Sequence, residues 1–182
     1  MRASRKTKLR KKRERAFKKT HSVKQPQTLK KVSIDHENYD DAYLHQILKD
    51  VKTIALVGAS NKSERPSNQV LKYLIDKGYT VFPINPGLVG QEIAGQKVYG
   101  ALSEIDKPID MVDIFRKSEA VEAIVDEALE LSPKPKVIWM QLDVRDESSA
   151  KKAEASGVNV VMNKCPKIEY ERLGLVLVGT DL

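Results

Sequence analysis

Cysteine and histidine are scarce in this chain of 182 residues, which excludes several kinds of chemistry. Cys165 is the only cysteine, so neither an intramolecular disulfide nor a cysteine-based zinc site can form. The three histidines, His21, His36 and His45, all lie in the first quarter of the chain. The remaining residues therefore lack the commonest general base and the commonest metal ligand, and we expect no metal site among them.

Long apolar runs are also missing. No stretch approaches the roughly 20 apolar residues that a membrane-spanning helix needs. The first residues are strongly basic and contain no apolar segment of the kind that a secretory signal requires. We therefore expect no contact with a membrane and a cytoplasmic location.

Acidic residues are almost absent from residues 1–33, which hold 14 Lys and Arg against the single acid Glu14. This segment carries a net charge of +13, whereas the other 18 basic and 24 acidic residues give the rest of the chain −6. Because it has too few large apolar residues to build a core, we expect a disordered basic tail. Three roles remain open for the tail: an arm that binds RNA or another polyanion, a solubilising segment, or a mitochondrial presequence.

A glycine turn organises the predicted fold. The apolar run at 54–57 predicts a buried strand, Gly58 ends it, and Pro66 favours the start of a helix that Gly78 closes. Residues 79–84 predict a second strand. In this strand–helix–strand unit the N-terminus of the helix lies beside the carboxyl end of the first strand, where a phosphate is favoured. NAD is disfavoured, because the G-x-G-x-x-G fingerprint is absent and the second strand ends in PINP, without a ribose-binding carboxylate.

Three more strands are predicted at residues 111–115, 137–140 and 158–162, with helices between them. Ser118 and Asp146 are the expected caps of those helices. This alternation predicts an α/β domain over residues 41–175, with a doubly wound parallel sheet of about five strands. Polar residues follow the strand ends, where such sheets bind ligands: Ser60, Asn85, Arg116, Gln141, Asn163 and Lys164.

Six segments resemble the CoA-binding domain proteins that are related to the N-terminal domain of the succinyl-CoA synthetase α subunit. In order they are VGAS…RPS, PINP, GQKVYGALSEI, VDIFR, VIWMQLDVRDE and VMNKCPKIEY, and the match covers roughly residues 44–173. The resemblance implies a Rossmann-like fold that binds CoA or an acyl-CoA across the strand ends. The synthetase carries its phosphorylated histidine in a second domain, so we expect no ligase reaction from this chain.

The resemblance also implies a role for individual residues. Gly58, Ala59 and Ser60 are expected at the pyrophosphate. The residues expected near the nucleotide portion are Arg65, Asn85, Pro86 and Lys97, and those expected farther along the crevice are Phe115, Arg116 and Gln141.

Three classes of function follow from these observations. The leading hypothesis is a non-catalytic module that binds CoA or an acyl-CoA. The second is a small nucleotide-dependent enzyme, either an oxidoreductase or an acyl-CoA-processing protein; the missing carboxylate and histidine weigh against it but leave catalysis open. The third is a nucleic-acid-associated protein that acts through residues 1–33.

Cys165 follows the fifth predicted strand and lies between Lys164 and Pro166. A neighbouring lysine and backbone amides lower a thiol pKa, which would allow a mixed disulfide with the thiol of CoA. We favour the other interpretation, a small, partly buried residue that packs beneath the crevice, as free cysteines commonly do.

Overall fold

Strands and helices alternate along residues 34–176, which are the residues that the computed structural model describes. The strands are Thr53–Val57 (β1), Thr80–Ile84 (β2), Glu92–Ile93 (β3), Gln96–Lys97 (β4), Met111–Ile114 (β5), Val137–Met140 (β6) and Asn159–Val161 (β7). The α-helices of this part are Asp41–Asp50 (α1), Pro66–Asp76 (α2), Val121–Glu130 (α3), Glu147–Ala155 (α4) and Pro166–Arg172 (α5). The predicted tail at residues 1–33 lies outside the described residues.

Five of the strands form one parallel sheet in the order β2-β1-β5-β6-β7. The chain leaves β1 for β2 on one side and then returns to β5 on the other side. The strand order therefore reverses between β1 and β5, as it does at the switch point of a doubly wound sheet. The predicted α/β class and five-stranded parallel sheet are confirmed.

Helices cover both faces of this sheet, because its strands are apolar on both sides. On one face Leu44 of α1, Leu71 of α2 and Tyr170 of α5 share a buried cluster with residues of the sheet. On the other face Val125 of α3 and Ala153 of α4 pack against it. No helix of the described part is long and apolar enough to cross a membrane.

Capping residues set where two helices begin. Asp40 accepts from the N–H of Ala42 at the start of α1, and Asp146 accepts from the N–H groups of Ser148 and Ser149 at α4. The predicted cap at Ser118 is wrong. A 3-10 turn over Ser118–Ala120 precedes α3, and the Ser118 hydroxyl instead accepts from the N–H of Arg145 at 3.1 Å.

The glycine-rich segment after β2 contains a hairpin that the sequence did not predict. Strands β3 and β4 pair antiparallel around Ala94 and Gly95, which both have positive φ, at 50° and 73°. Such a turn usually carries Asn-Gly, and a two-residue strand is too short to show the alternation of apolar and polar residues that predicts a strand. The sequence likewise does not predict the last helix, α5.

Two tyrosines satisfy the outer edge of the sheet. β7 is an edge strand, and the N–H of Met162 donates to the Tyr39 hydroxyl at 2.6 Å. The Tyr43 hydroxyl donates to the carbonyl oxygen of Val160 at 3.3 Å. Edge strands with unpaired backbone groups can pair with other chains. The two tyrosine hydroxyls therefore protect this edge of the sheet.

Candidate functional site

The carboxyl ends of β1 and β5 meet at Gly58. This residue has φ +92°, and a Cβ atom there would lie 2.3 Å from the carbonyl oxygen of Phe115 and 3.0 Å from Cδ of Arg116. Only glycine fits this combination of conformation and contact. The structure thus brings the glycine turn against two other predicted site residues, at the point where the strand order reverses.

Backbone hydrogen bonds tie the glycine turn to β2. The N–H groups of Gly58 and Ala59 both donate to the carbonyl oxygen of Ile84, at 2.9 and 3.1 Å. The fold therefore uses both amides itself. A phosphate at this turn would rely on Ser60 and on the N-terminus of α2 for its hydrogen bonds.

Asn85 holds the turn and the following loop together. Its Nδ2 donates to the carbonyl oxygen of Ala59 at 2.7 Å, and its Oδ1 accepts from the N–H of Gly87 at 2.9 Å. It also caps the 3-10 turn Pro86–Leu88, in which Pro86 is exposed. The structure therefore joins Ala59, Asn85 and Gly87 in one hydrogen-bonded unit, and Pro86 lies between the last two.

Two basic residues flank this unit without bonding to it. Arg65 is exposed and is the N-cap residue of α2, where its side chain makes no capping bond. Lys97 is exposed in β4, with Nζ 4.9 Å from the centre of the Tyr99 ring. Asn61, just after the glycine turn, donates from Nδ2 to Oε1 of Gln91 at 3.3 Å. Gln91 directly precedes the hairpin that carries Lys97, so this bond connects the two segments.

An open depression of about 500 Å³ lies beyond β5. Its lining includes Phe115, which is half-buried, and Arg116, which is exposed. The remaining lining residues are Lys117, Glu119 and Ala120. Phe115 and Arg116 also lie against Gly58, so this depression adjoins the glycine turn.

Gln141 lies at the end of β6 and is buried against a carboxyl group. Its Nε2 donates to both carboxyl oxygens of Asp113, at 2.9 and 3.2 Å. Asp113 is fully buried, and this burial raises the pKa of its carboxyl to about 7 although the Gln141 hydrogen bond opposes the shift. The nitrogen of the Gln141 side chain is therefore engaged inside the protein.

Two buried polar residues near the crevice were not among the predicted site residues. Asp113 had a visible signal, since an acid interrupts the apolar run of its strand. Asn68 had none, because polar residues are ordinary in the first turn of a helix. Asn68 is only 3% exposed, and its Nδ2 donates to the carbonyl oxygen of Ser60 at 2.8 Å.

The polar residues after β7 serve the fold. Oδ1 of Asn163 accepts from the N–H of Asp143 at 2.9 Å, and both residues have positive φ, at 55° and 63°. The carbonyl oxygen of Lys164 accepts from Nε1 of Trp139 at 2.7 Å. These bonds fix the loops after β6 and β7 to each other and to the sheet.

Cys165 is a packing residue in this structure. It is 6% exposed, and burial raises the pKa of its thiol. The Lys164 ammonium lies 3.6 Å from the carboxylate of Glu169, which competes with any effect on the thiol. The favoured interpretation of Cys165 as a buried packing residue is therefore confirmed. The alternative of a lowered thiol pKa is wrong, because desolvation outweighs the nearby positive charge and amides.

Metal ligands are not clustered in the described part of the chain. No group of three or more His, Cys, Asp or Glu side chains is arranged there to hold a metal ion. The crevice instead presents backbone polar groups, a helix N-terminus and the exposed cations Arg65, Lys97 and Arg116. This combination suits an anionic organic ligand.

Known proteins similar to this chain cover most of the described residues. The family model of a CoA binding domain matches residues 52–171. The uncharacterized protein YneT of Bacillus subtilis is 35% identical over 134 residues, which are 74% of this chain and 96% of that protein. A hypothetical protein from Pyrococcus horikoshii is 37% identical with a TM-score of 0.71, over 76% of this chain and 95% of its own.

A larger enzyme contains a similar domain. The dinucleotide-forming acetyl-coenzyme A synthetase 1 of Ca. Korarchaeum cryptofilum is 25% identical, with a TM-score of 0.51. The similarity covers 60% of this chain but only 25% of the synthetase. The shared part is thus one portion of that enzyme.

Proposed function

This chain belongs to the CoA binding domain family, and we propose that it binds CoA or an acyl-CoA at the carboxyl edge of its sheet without transforming it. The observation that carries the proposal is the close approach of Gly58 to the Phe115 backbone and the Arg116 side chain, in a turn that Asn68 ties to the N-terminal turn of α2. Ligands bind where the strand order of such sheets reverses, and a helix N-terminus favours a phosphate there.

The ten predicted residues take their places along this edge in the proposal. The pyrophosphate lies at Gly58, Ala59 and Ser60, with the nucleotide portion toward the unit that contains Asn85 and Pro86. The exposed cations around it are Arg65, Lys97 and Arg116. Phe115 lines the depression into which the rest of the ligand extends, and Gln141 supports that end from below through its bond to Asp113.

The residue after β2 supports CoA over NAD. Asn85 occupies the position where a dinucleotide-binding sheet carries an acid for the ribose, and both polar atoms of its side chain are engaged with backbone groups. A role in binding is favoured over catalysis, because the titratable groups beneath the crevice, Asp113 and Cys165, are both buried. Binding alone needs neither group.

CoA is expected to stabilise the protein against heat, and NAD at the same concentration is not. A ligand that binds only the folded state at about 100 times its Kd adds roughly 2.7 kcal/mol to the free energy of unfolding. For a chain of this length that raises the melting temperature by about 5–10 °C. Differential scanning fluorimetry with CoA, acetyl-CoA and NAD measures it, and stabilisation by NAD alone would refute the proposal.

Arg116→Ala and Lys134→Ala test whether binding occurs at the proposed edge. Arg116 lies against Gly58, whereas Lys134 is an exposed residue that precedes β6, at the opposite end of the strands. We expect Arg116→Ala to raise the Kd for CoA about tenfold, as for the loss of a charge-assisted hydrogen bond, and Lys134→Ala to leave it within twofold. Isothermal titration calorimetry on both variants decides between this edge and a site elsewhere.

A second proposal concerns residues 1–33, whose net charge of +13 suits a polyanion such as RNA. Deleting them is expected to abolish salt-dependent RNA binding and to leave the Kd for CoA within twofold. Fluorescence anisotropy with a labelled single-stranded RNA at 50 and 200 mM salt measures the first effect, and calorimetry measures the second. Undiminished RNA binding by the truncated chain would assign that activity to the folded domain.

A further inference from the structure

Two asparagines lie against the glycine turn, and they differ in how far their side chains are satisfied. Asn85 uses both of its polar atoms, Nδ2 on Ala59 and Oδ1 on the N–H of Gly87. Asn68 donates from Nδ2 to the carbonyl oxygen of Ser60 at 2.8 Å. None of the described residues donates to its Oδ1. Asn68 therefore presents a buried acceptor without a partner.

This acceptor is fixed in place. Asn68 is 3% exposed in the first turn of α2, and its nitrogen is anchored on the turn itself. Exchanging the oxygen and the nitrogen would place the side-chain oxygen against the carbonyl oxygen of Ser60, so the assignment of the two atoms follows from the hydrogen bond. Buried acceptors are normally paired, so an unpaired one needs an explanation, and a donor group of a bound ligand is one.

The missing partner must be a hydrogen-bond donor. A phosphate oxygen does not qualify, because it is itself an acceptor at neutral pH. CoA offers donors in both of its halves: the amino and hydroxyl groups of the adenosine, and the amide and hydroxyl groups of the pantetheine arm. Either half can therefore supply the bond, provided that the pyrophosphate is bound next to Ser60.

We propose that Oδ1 of Asn68 accepts a hydrogen bond from an N–H or O–H group of the bound CoA. This inference rests on the proposed function, since it takes CoA as the ligand of the edge. Asn68 is then a specificity-determining residue. Its Oδ1 gains a hydrogen bond only when the ligand carries a donor group as well as the phosphates. Ligands without such a group leave Oδ1 unpaired.

Affinities for the whole ligand and for its two halves test this role. The ligands are CoA, adenosine 3′,5′-bisphosphate and 4′-phosphopantetheine, with the fragments measured by displacement of CoA. The variants are Asn68→Ala, Asn68→Ser as a second substitution in case the first does not fold, and Gln69→Ala as the matched control. Gln69 is the next residue of the helix, is exposed, and has only 3.5 Å contacts from its Nε2.

We expect Asn68→Ala to raise the Kd for CoA about five- to tenfold and to raise it similarly for one fragment only. That fragment is the half that carries the donor, while the other half and the Gln69→Ala variant stay within twofold. Equal losses for both fragments would show that Asn68 merely anchors the turn through Ser60, and no loss would show that the ligand does not bond to this oxygen. Both outcomes overturn the inference. A wild-type protein that does not bind CoA would overturn the proposed function first, and this inference with it.

Discussion

Gly58→Ala is expected to lower the free energy of unfolding by about 2–5 kcal/mol, the sum of two separate costs. An alanine at φ +92° is strained, which costs on the order of 1–2 kcal/mol. Its Cβ would also lie 2.3 Å from the carbonyl oxygen of Phe115, a backbone atom that moves only if β5 moves. Overpacking of this kind adds about 1–3 kcal/mol.

Gly157→Ala separates the two costs. Gly157 has φ +83°, close to that of Gly58, but a Cβ there meets nothing within 4 Å. This control therefore carries only the conformational strain, and we expect it to cost about 1–2 kcal/mol. Urea unfolding of both variants gives the comparison. Equal losses would mean that β1 and β5 do not approach each other at the turn as closely as the structure shows.

The functional readout of Gly58→Ala is its affinity for CoA. The clash pushes the turn away from the Phe115 backbone and the Arg116 side chain, and the two sides of the proposed edge then separate. We therefore expect weaker CoA binding from Gly58→Ala under conditions where it is still folded, and unchanged binding from Gly157→Ala.

The parts of the fold that could be predicted are those with a local signal. Buried strands show as short apolar runs, and Pro66 and Gly78 mark the ends of α2 through backbone restrictions that act within a few residues. The glycine turn belongs to this class, because Gly58 must adopt a positive φ. The close contact with Phe115 does not, since it joins residues far apart in the sequence and arises only once β1 and β5 are neighbours.

The site is harder to predict for the same reason. The sequence shows which polar side chains follow the strand ends, but it does not reveal which of them already have partners within the fold. Asn85 and Gln141 turn out to be engaged within the fold, whereas Asn68 retains an unpaired atom. For Cys165 the sequence left a packing residue and a lowered thiol pKa both open for the same reason, because burial, which raises its pKa, is a property of the folded chain.

Asp113 is expected to make the stability of the protein fall as the pH rises toward neutrality. Burial raises its pKa to about 7 in the folded state, from an ordinary value of 3.8 in the unfolded chain. Between these values the folded protein keeps a proton that the unfolded chain has lost, so its stabilising effect is greatest below pH 4 and is lost as the pH approaches 7. Above pH 7 both states are ionised, and the contribution of this group no longer changes.

Asp113→Asn tests this expectation, because it replaces the carboxyl by a neutral group of the same shape that still accepts from Gln141. Between pH 5 and pH 8 the wild-type protein should lose on the order of 3 kcal/mol that this variant retains. Asp106→Asn is the control: Asp106 is exposed, so this variant should follow the wild type at every pH. Urea unfolding at half-unit pH steps provides the curves. Parallel curves for wild type and Asp113→Asn would show that Asp113 is ionised in the folded protein throughout this range, and that its carboxylate has compensation beyond the single bond to Gln141.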